Sequence, residues 1–189
     1  MKKTMLLSLL FLIFLMFFLT SCGTKPDEQQ ESKPNNSEQT QNIIEPEELI
    51  SKEEAAEIME SILNASRPSE QKTVGLKLMF YEKENEDDYF QISITQQAFM
   101  PETQTSTPGS IYNSIKDAYI GTLEPLPEVG EEAYYEPVTG LSFLHDGYYV
   151  SIKIGKFSGT VLNRRNVTTK EMYIDAGKLA IKNLKEKLK

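Results

Sequence analysis

From residue 50 onward, apolar and polar positions fall into blocks of two different periods. Ala55, Ala56, Met59, Ile62 and Leu63 recur at helical spacing. Ahead of them, Ser51 and Glu54 have the spacing of a capping box, and Ile50 with Ala55 that of a hydrophobic staple. The pattern predicts a helix over 52–64, ended by Arg67-Pro68. Next, Val74, Leu76, Leu78 and Phe80 alternate with Gly75, Lys77, Met79 and Tyr81, and after a polar turn Phe90, Ile92 and Ile94 alternate with Gln91, Ser93 and Thr95. A period of two predicts two strands paired as a hairpin. Residues 100–109 have loop composition. A second helix is expected over 110–120, with Ile111, Ile115, Ala118 and Tyr119 on one face and Gly121 as its C-cap. A rigid acidic connector, 124–132, leads to apolar runs at 133–138, 141–144 and 148–154, separated by Thr139-Gly140 and Asp146-Gly147. Asp-Gly between apolar runs is a strong hairpin signal, so these read as a three-stranded meander. Thr168 with Glu171 as box and Val167 with Met172 as staple open a last helix to about Leu188, its buried stripe Met172, Ala176, Leu179, Ala180 and Leu184. The expected fold is α+β: an antiparallel sheet of about five strands covered by about three helices, in a single domain over 47–189.

The first 46 residues follow neither period. Lys2 and Lys3 precede an apolar run from Met5 to Leu19, broken only by Ser8 and closed by Thr20 and Ser21. That is the three-part layout of a secretory signal peptide. About 15 helical residues span roughly 22 Å, short of the roughly 30 Å hydrocarbon core, so a permanent transmembrane helix is the poorer reading. Gly23 to Pro46 is rich in Gln, Asn, Glu, Ser and Pro, with Ile43 and Ile44 its only aliphatic residues. Such a stretch does not bury enough apolar area to offset its ordering entropy, and reads as a linker, 22–46. As a flexible coil it reaches roughly 25 to 30 Å.

Leu19-Thr20-Ser21-Cys22 resembles the lipobox of bacterial lipoproteins: an aliphatic residue, two small residues and a Cys. The resemblance implies that 1–21 is removed as a lipoprotein signal peptide and that a diacylglyceryl group is joined to the Cys22 sulfur. Two acyl chains, at about 0.8 kcal/mol per buried CH₂, anchor stably where one is marginal. The implied address is extracytoplasmic, on the bacterial cell membrane, or on an outer membrane where one is present. Further along, Pro127-Glu128-Val129-Gly130-Glu131-Glu132-Ala133-Tyr134, followed by two strands around Asp-Gly and an amphipathic C-terminal helix, is similar over about 60 residues to the carboxyl half of uncharacterised small lipoproteins, some with a PsbP/Mog1-like fold. That fold hosts no single function.

Composition narrows the partners. Twenty-eight acidic against 20 basic residues give the chain of 189 a net charge of −8, and loss of 1–21, with two Lys and no acid, takes it to −10. Binding phosphates needs a clustered basic surface, so nucleic acid is not expected. The one Cys lies at the implied cleavage site, which leaves no internal disulfide, no Cys catalysis and no Cys-ligated zinc. No metal and no cofactor is expected. The one histidine, His145, precedes Asp146-Gly147 at a hairpin tip, with no nucleophile motif or second His near it. The acidic run Glu82, Glu84, Glu86, Asp87 and Asp88 lacks the order of an EF-hand loop and reads as a solvated hairpin turn or a weak cation site.

Tyr134, Tyr135, Tyr148 and Tyr149 all fall on the meander. Alternation turns one ring of each adjacent pair away from the first face, and exposed rings stack on sugars or form protein hot spots. Ordinary strand propensity explains the same residues. Arg164 and Arg165, in the loop 156–166, offer an anionic partner a contact. The leading expectation is therefore a non-catalytic binding domain, held to a membrane through Cys22, meeting an envelope protein or a glycan through these tyrosines and arginines. The alternative is a small envelope hydrolase using acidic residues at 124–132 and His145.

Overall fold

The computed structural model describes residues 43–84, 87–160 and 162–189. The signal segment 1–21, Cys22, the linker as far as residue 42, and Glu86 lie outside the described residues. In chain order the elements are α1 (Lys52–Met59), β1 (Ala65–Gln71), β2 (Leu76–Glu82), β3 (Tyr89–Thr95), α2 (Pro108–Ala118), β4 (Glu124–Pro125), β5 (Ala133–Glu136), β6 (Gly140–His145), β7 (Tyr148–Gly155), β8 (Phe157–Ser158), β9 (Arg165–Asn166) and α3 (Lys170–Lys187). Seven strands form one sheet in the order β1-β2-β3-β7-β6-β5-β4, antiparallel at every step, while β8 and β9 pair separately. The class is α+β, and the sheet is two strands wider than the periodicity implies.

Both extra strands are edges. β1, Ala-Ser-Arg-Pro-Ser-Glu-Gln, is exposed along nearly its whole length and so carries no alternation, and its Pro68 is tolerated because an edge strand has one free side. β4 is two residues long. Arg67-Pro68, expected to end a helix, thus lies within a strand. The helix itself stops earlier: Glu60 takes a left-handed conformation at φ 47°, α1 ends at Met59, and Ile62 is exposed.

The caps follow local chemistry closely. The Ser51 hydroxyl accepts from the Glu54 N–H at 3.3 Å, and the Glu54 carboxylate accepts from the Ser51 N–H at 2.8 Å. α2 begins two residues before its expected start, because Thr107 and Ser110 form a reciprocal cap with Pro108 in the first turn. At α3 the cap is Thr169, whose hydroxyl accepts from Met172 N–H. Thr168, the residue expected there, instead accepts from the Lys156 N–H at 2.9 Å and ties the start of the 156–166 loop to the helix.

The sheet has a helix layer on each side. On the first face Phe90, Ile92 and Ile94 pair across with Ile154, Ile152 and Val150, and together with Leu141 and Phe143 they are buried under α1 and α3. The α3 contribution is Tyr173, Ala176, Gly177, Ala180 and Leu184. Tyr81 donates to the Ile50 carbonyl at 2.8 Å, and Asn183 to the Leu49 carbonyl at 2.9 Å. In β2 this face takes Lys77, Met79 and Tyr81, leaving Leu76, Leu78 and Phe80 half-buried on the other, the reverse of the side that the apolar set implies. Lys77 makes the reversal possible: its ammonium is held by Glu45 at 2.6 Å and Glu70 at 2.9 Å, over the Phe99 ring.

Glu45 brings in a second correction. Residues 43–46, expected at the end of the linker, belong to the fold: Ile44 is 2% exposed, and its N–H and C=O both bond the Gln96 side chain at 2.8 Å. A polar composition averaged over 23–46 hides one isoleucine whose burial contributes about 1.5–3 kcal/mol. Among the described residues no helix is long and apolar enough to cross a membrane.

Candidate functional site

On the second face the two halves of the sheet differ. α2 lies over β6 and β7, and Tyr112, 2% exposed, packs between Tyr134 and Tyr149 at ring separations of 6.4 and 5.5 Å. Its hydroxyl donates to the Glu132 carbonyl at 2.8 Å. The space left beneath α2, lined by Tyr112, Tyr134, Glu136 and Ser142, is about 10 Å³, room for one water. Of the four tyrosines expected on a binding surface, Tyr148 and Tyr149 are buried, and Tyr134 and Tyr135 are half-buried. Tyr149 is covered by α2, Tyr148 is buried on the first face, and Tyr135 packs on Tyr173 of α3 at 5.1 Å. Tyr134 is half-buried, with the Lys116 ammonium 4.6 Å from its ring. Alternation does turn one ring of each pair onto the second face, but there a helix layer covers it. The helix face expected to be buried, Ile111, Ile115, Ala118 and Tyr119, is rotated by the same packing: Tyr112 points inward, and Ala118 and Tyr119 are exposed.

Over β1, β2 and β3 no helix among the described ones covers the second face. Register places Arg67, Phe80, Gln91 and Lys153 in one row across four strands, and Glu82, Tyr89 and Gly155 in the next. At the end of these rows Phe80, Glu82, Asp87, Asp88, Tyr89 and Phe157 line an open cleft of about 460 Å³, within the range of small-molecule sites. Gly155 shapes it. A β-carbon there would overlap the Tyr89 ring, so the missing side chain is what lets that ring lie flat across β7. Tyr89 packs against Phe80 at 5.8 Å.

Two arginines border the cleft, each placed on a ring and a carboxylate together. Arg67 sits 4.9 Å from the Phe80 centroid and bonds Glu82 at 2.5 Å. Arg164 sits 4.8 Å from the Phe157 centroid and pairs with Asp87. Asp88, 4% exposed, is the joint of the site: one carboxylate oxygen accepts from the Ser61 hydroxyl at 3.1 Å, the other from the Phe157 N–H at 2.9 Å. It fastens the loop after α1, the β2–β3 turn and the start of the 156–166 loop to one another. The acidic residues expected on a solvated turn thus include a buried tie. Arg164 reaches the cleft, while Arg165 is exposed on β9 opposite Ser158. Burial raises the Tyr89 phenol above its ordinary value, so the ring is neutral at physiological pH.

The residues of the alternative reading are placed differently. His145 Nε2 lies 3.3 Å from the carboxylate of its neighbour Asp146, at the β6–β7 turn. Glu124 bonds Lys170 at 2.7 Å, and Glu128, Glu131 and Glu132 are exposed. None of these residues lines the open cleft. Among the described residues no three His, Cys, Asp or Glu side chains are gathered closely enough to hold a metal ion.

Sequence reasoning missed Phe80, Tyr89 and Phe157. Alternation puts Phe80 on the core side, Tyr89 flanks a turn, and Phe157 falls in a loop. A signal is present in the Gly155 position, opposite Tyr89, but it becomes readable only once β3 and β7 are known to pair. No protein-family model, no curated protein and no solved structure matches this chain.

Proposed function

We propose that this chain is a lipid-anchored binding protein of the bacterial cell envelope, tethered through Cys22 and acting without catalysis through the cleft on the open half of its sheet. The binding reading rests on one observation: three aromatic rings and three carboxylates line a cleft of about 460 Å³, and two of those carboxylates, Glu82 and Asp87, are paired with Arg67 and Arg164. Charged groups already paired with each other offer a ligand neighbouring donors and acceptors, an arrangement that suits holding a polar ligand. The location rests on Lys2, Lys3, the Met5–Leu19 run and Leu19-Thr20-Ser21-Cys22. The acidic surface fits an extracytoplasmic partner that is neither nucleic acid nor an anionic bilayer.

The anchor is tested by intact mass on protein extracted from membranes, wild type against Cys22→Ala. The expected mass is that of residues 22–189 plus two or three acyl chains, with the variant unprocessed or released. Cleavage without lipid removes the anchor and makes this a freely secreted domain.

A further inference from the structure

The lining of the open cleft also selects a class of ligand, a selection that rests on the cleft being a binding site. Its charges balance. Glu82, Asp87 and Asp88 meet Arg67 and Arg164, and Lys153 stands in the adjoining row beside Gln91. Asp88 is already satisfied by Ser61 and the main chain. A cationic ligand would have to displace Arg67 or Arg164 from both its ring and its carboxylate, replacing one guanidinium contact with another of equal kind. An anion would face two carboxylates at the rim. A neutral polar ligand avoids both costs.

We propose that the cleft binds a neutral saccharide. A pyranose presents one face of C–H groups and an edge of vicinal hydroxyls. Tyr89, laid over Gly155, supplies apolar ring surface for the first, next to the Phe80 ring that carries Arg67. The Arg67–Glu82 and Arg164–Asp87 pairs supply, for the second, planar donors and acceptors, their guanidiniums lying 4.9 and 4.8 Å from ring centroids. The volume of about 460 Å³ is within the range of sites for ligands of this size.

The experiment is saturation-transfer NMR on the full-length chain in sulfobetaine micelles, with chitotetraose, cellotetraose and maltotetraose as probes and choline chloride as the cationic control. The expected result is a saturable signal from at least one oligosaccharide, strongest on the C–H face. It falls at least tenfold in Tyr89→Ala and is retained in Tyr89→Phe. Gly155→Ala, which pushes the Tyr89 ring off β7 without touching the ligand, also lowers it, and circular dichroism verifies the fold of each variant. No signal from any of the three probes, a signal unchanged in Tyr89→Ala, or a signal from choline alone would each overturn the assignment. If photo-crosslinking at the rim in cells captures an envelope protein while all three oligosaccharides fail, the ligand class is wrong and the binding domain stands. Failure of both removes the binding reading itself.

Discussion

The second face of the sheet carries aromatic residues at both ends, and the two ends have opposite fates. Under α2, Tyr112 packs against both Tyr134 and Tyr149, and the space left beside Tyr112 and Tyr134 is about 10 Å³. Over β1–β3, Phe80, Tyr89 and Phe157 surround about 460 Å³ of open space. The rings are of similar size, and Tyr134, Tyr149, Phe80 and Tyr89 stand on one continuous sheet, with Tyr112 added by the helix above one end and Phe157 by the separate β8–β9 pair at the other. What differs is the cover: a helix capped by Thr107 and Ser110 lies over one end, and two arginines border the other. An aromatic residue on a strand is core or contact surface according to the layer above it, and that layer is set by a part of the chain distant in sequence.

Changes at the covered end should therefore cost stability, and changes at the open end should cost binding. The largest effect is expected from Tyr112→Ala. It removes a ring buried between two others and leaves the Glu132 carbonyl with only its bond from the Leu144 N–H, and should cost about 3–5 kcal/mol in urea unfolding. Next is Gly140→Ala. Gly140 has φ +87°, and a β-carbon there would overlap the Ile152 carbonyl oxygen, so a loss of about 2–3 kcal/mol is expected. A loss below about 1 kcal/mol at either site would mean that the covered end is loosely packed.

Alkaline pH probes the packing of both faces with no substitution, through Tyr112 on the second and Tyr81 and Tyr173 on the first. Burial pushes the Tyr173 phenol up to about 12, and burial also raises Tyr81 and Tyr112. Each is an acid whose pKa is higher folded than unfolded. Its contribution to stability is therefore fully present below the unfolded value, about 10, and is lost as pH rises through the folded one. The urea midpoint should hold between about pH 7 and 9 and fall from about pH 10 upward, with tyrosinate absorbance rising steeply as the chain unfolds. A midpoint flat to about pH 12 would show that these hydroxyls are not held in a dry interior. The smallest effect on stability is expected from Tyr89→Ala, about 1 kcal/mol, the ordinary size for a half-buried position. A loss as large as that of Tyr112→Ala would place Tyr89 in the core and leave the two ends alike.

Much of the architecture is legible in the sequence because it is written locally. Ser51 with Glu54 marks the first helix start, Asp146-Gly147 the β6–β7 turn, and Ala176, Ala180 and Leu184 the buried stripe of α3. What escapes depends on pairing. β1 is an edge and shows no alternation. Lys77 faces the core side only because Glu45 and Glu70 meet it there, 32 and 7 residues away. The cleft needs Asp88 joined to Phe157 across 69 residues and Arg164 to Asp87 across 77. Residue types announce that acids and arginines are present, but no spacing within either segment indicates that they meet.

Whether the open half of the face is where this protein meets its partner can be read by photo-crosslinking in living cells. Benzoylphenylalanine is placed at Ser158, exposed and next to Phe157 in the chain, and separately at Tyr119, exposed at the end of α2. Adducts are expected from position 158 that disappear when Tyr89→Ala is added, and none from position 119. Adducts from 119 alone, or from 158 regardless of Tyr89, would mean that the partner docks elsewhere.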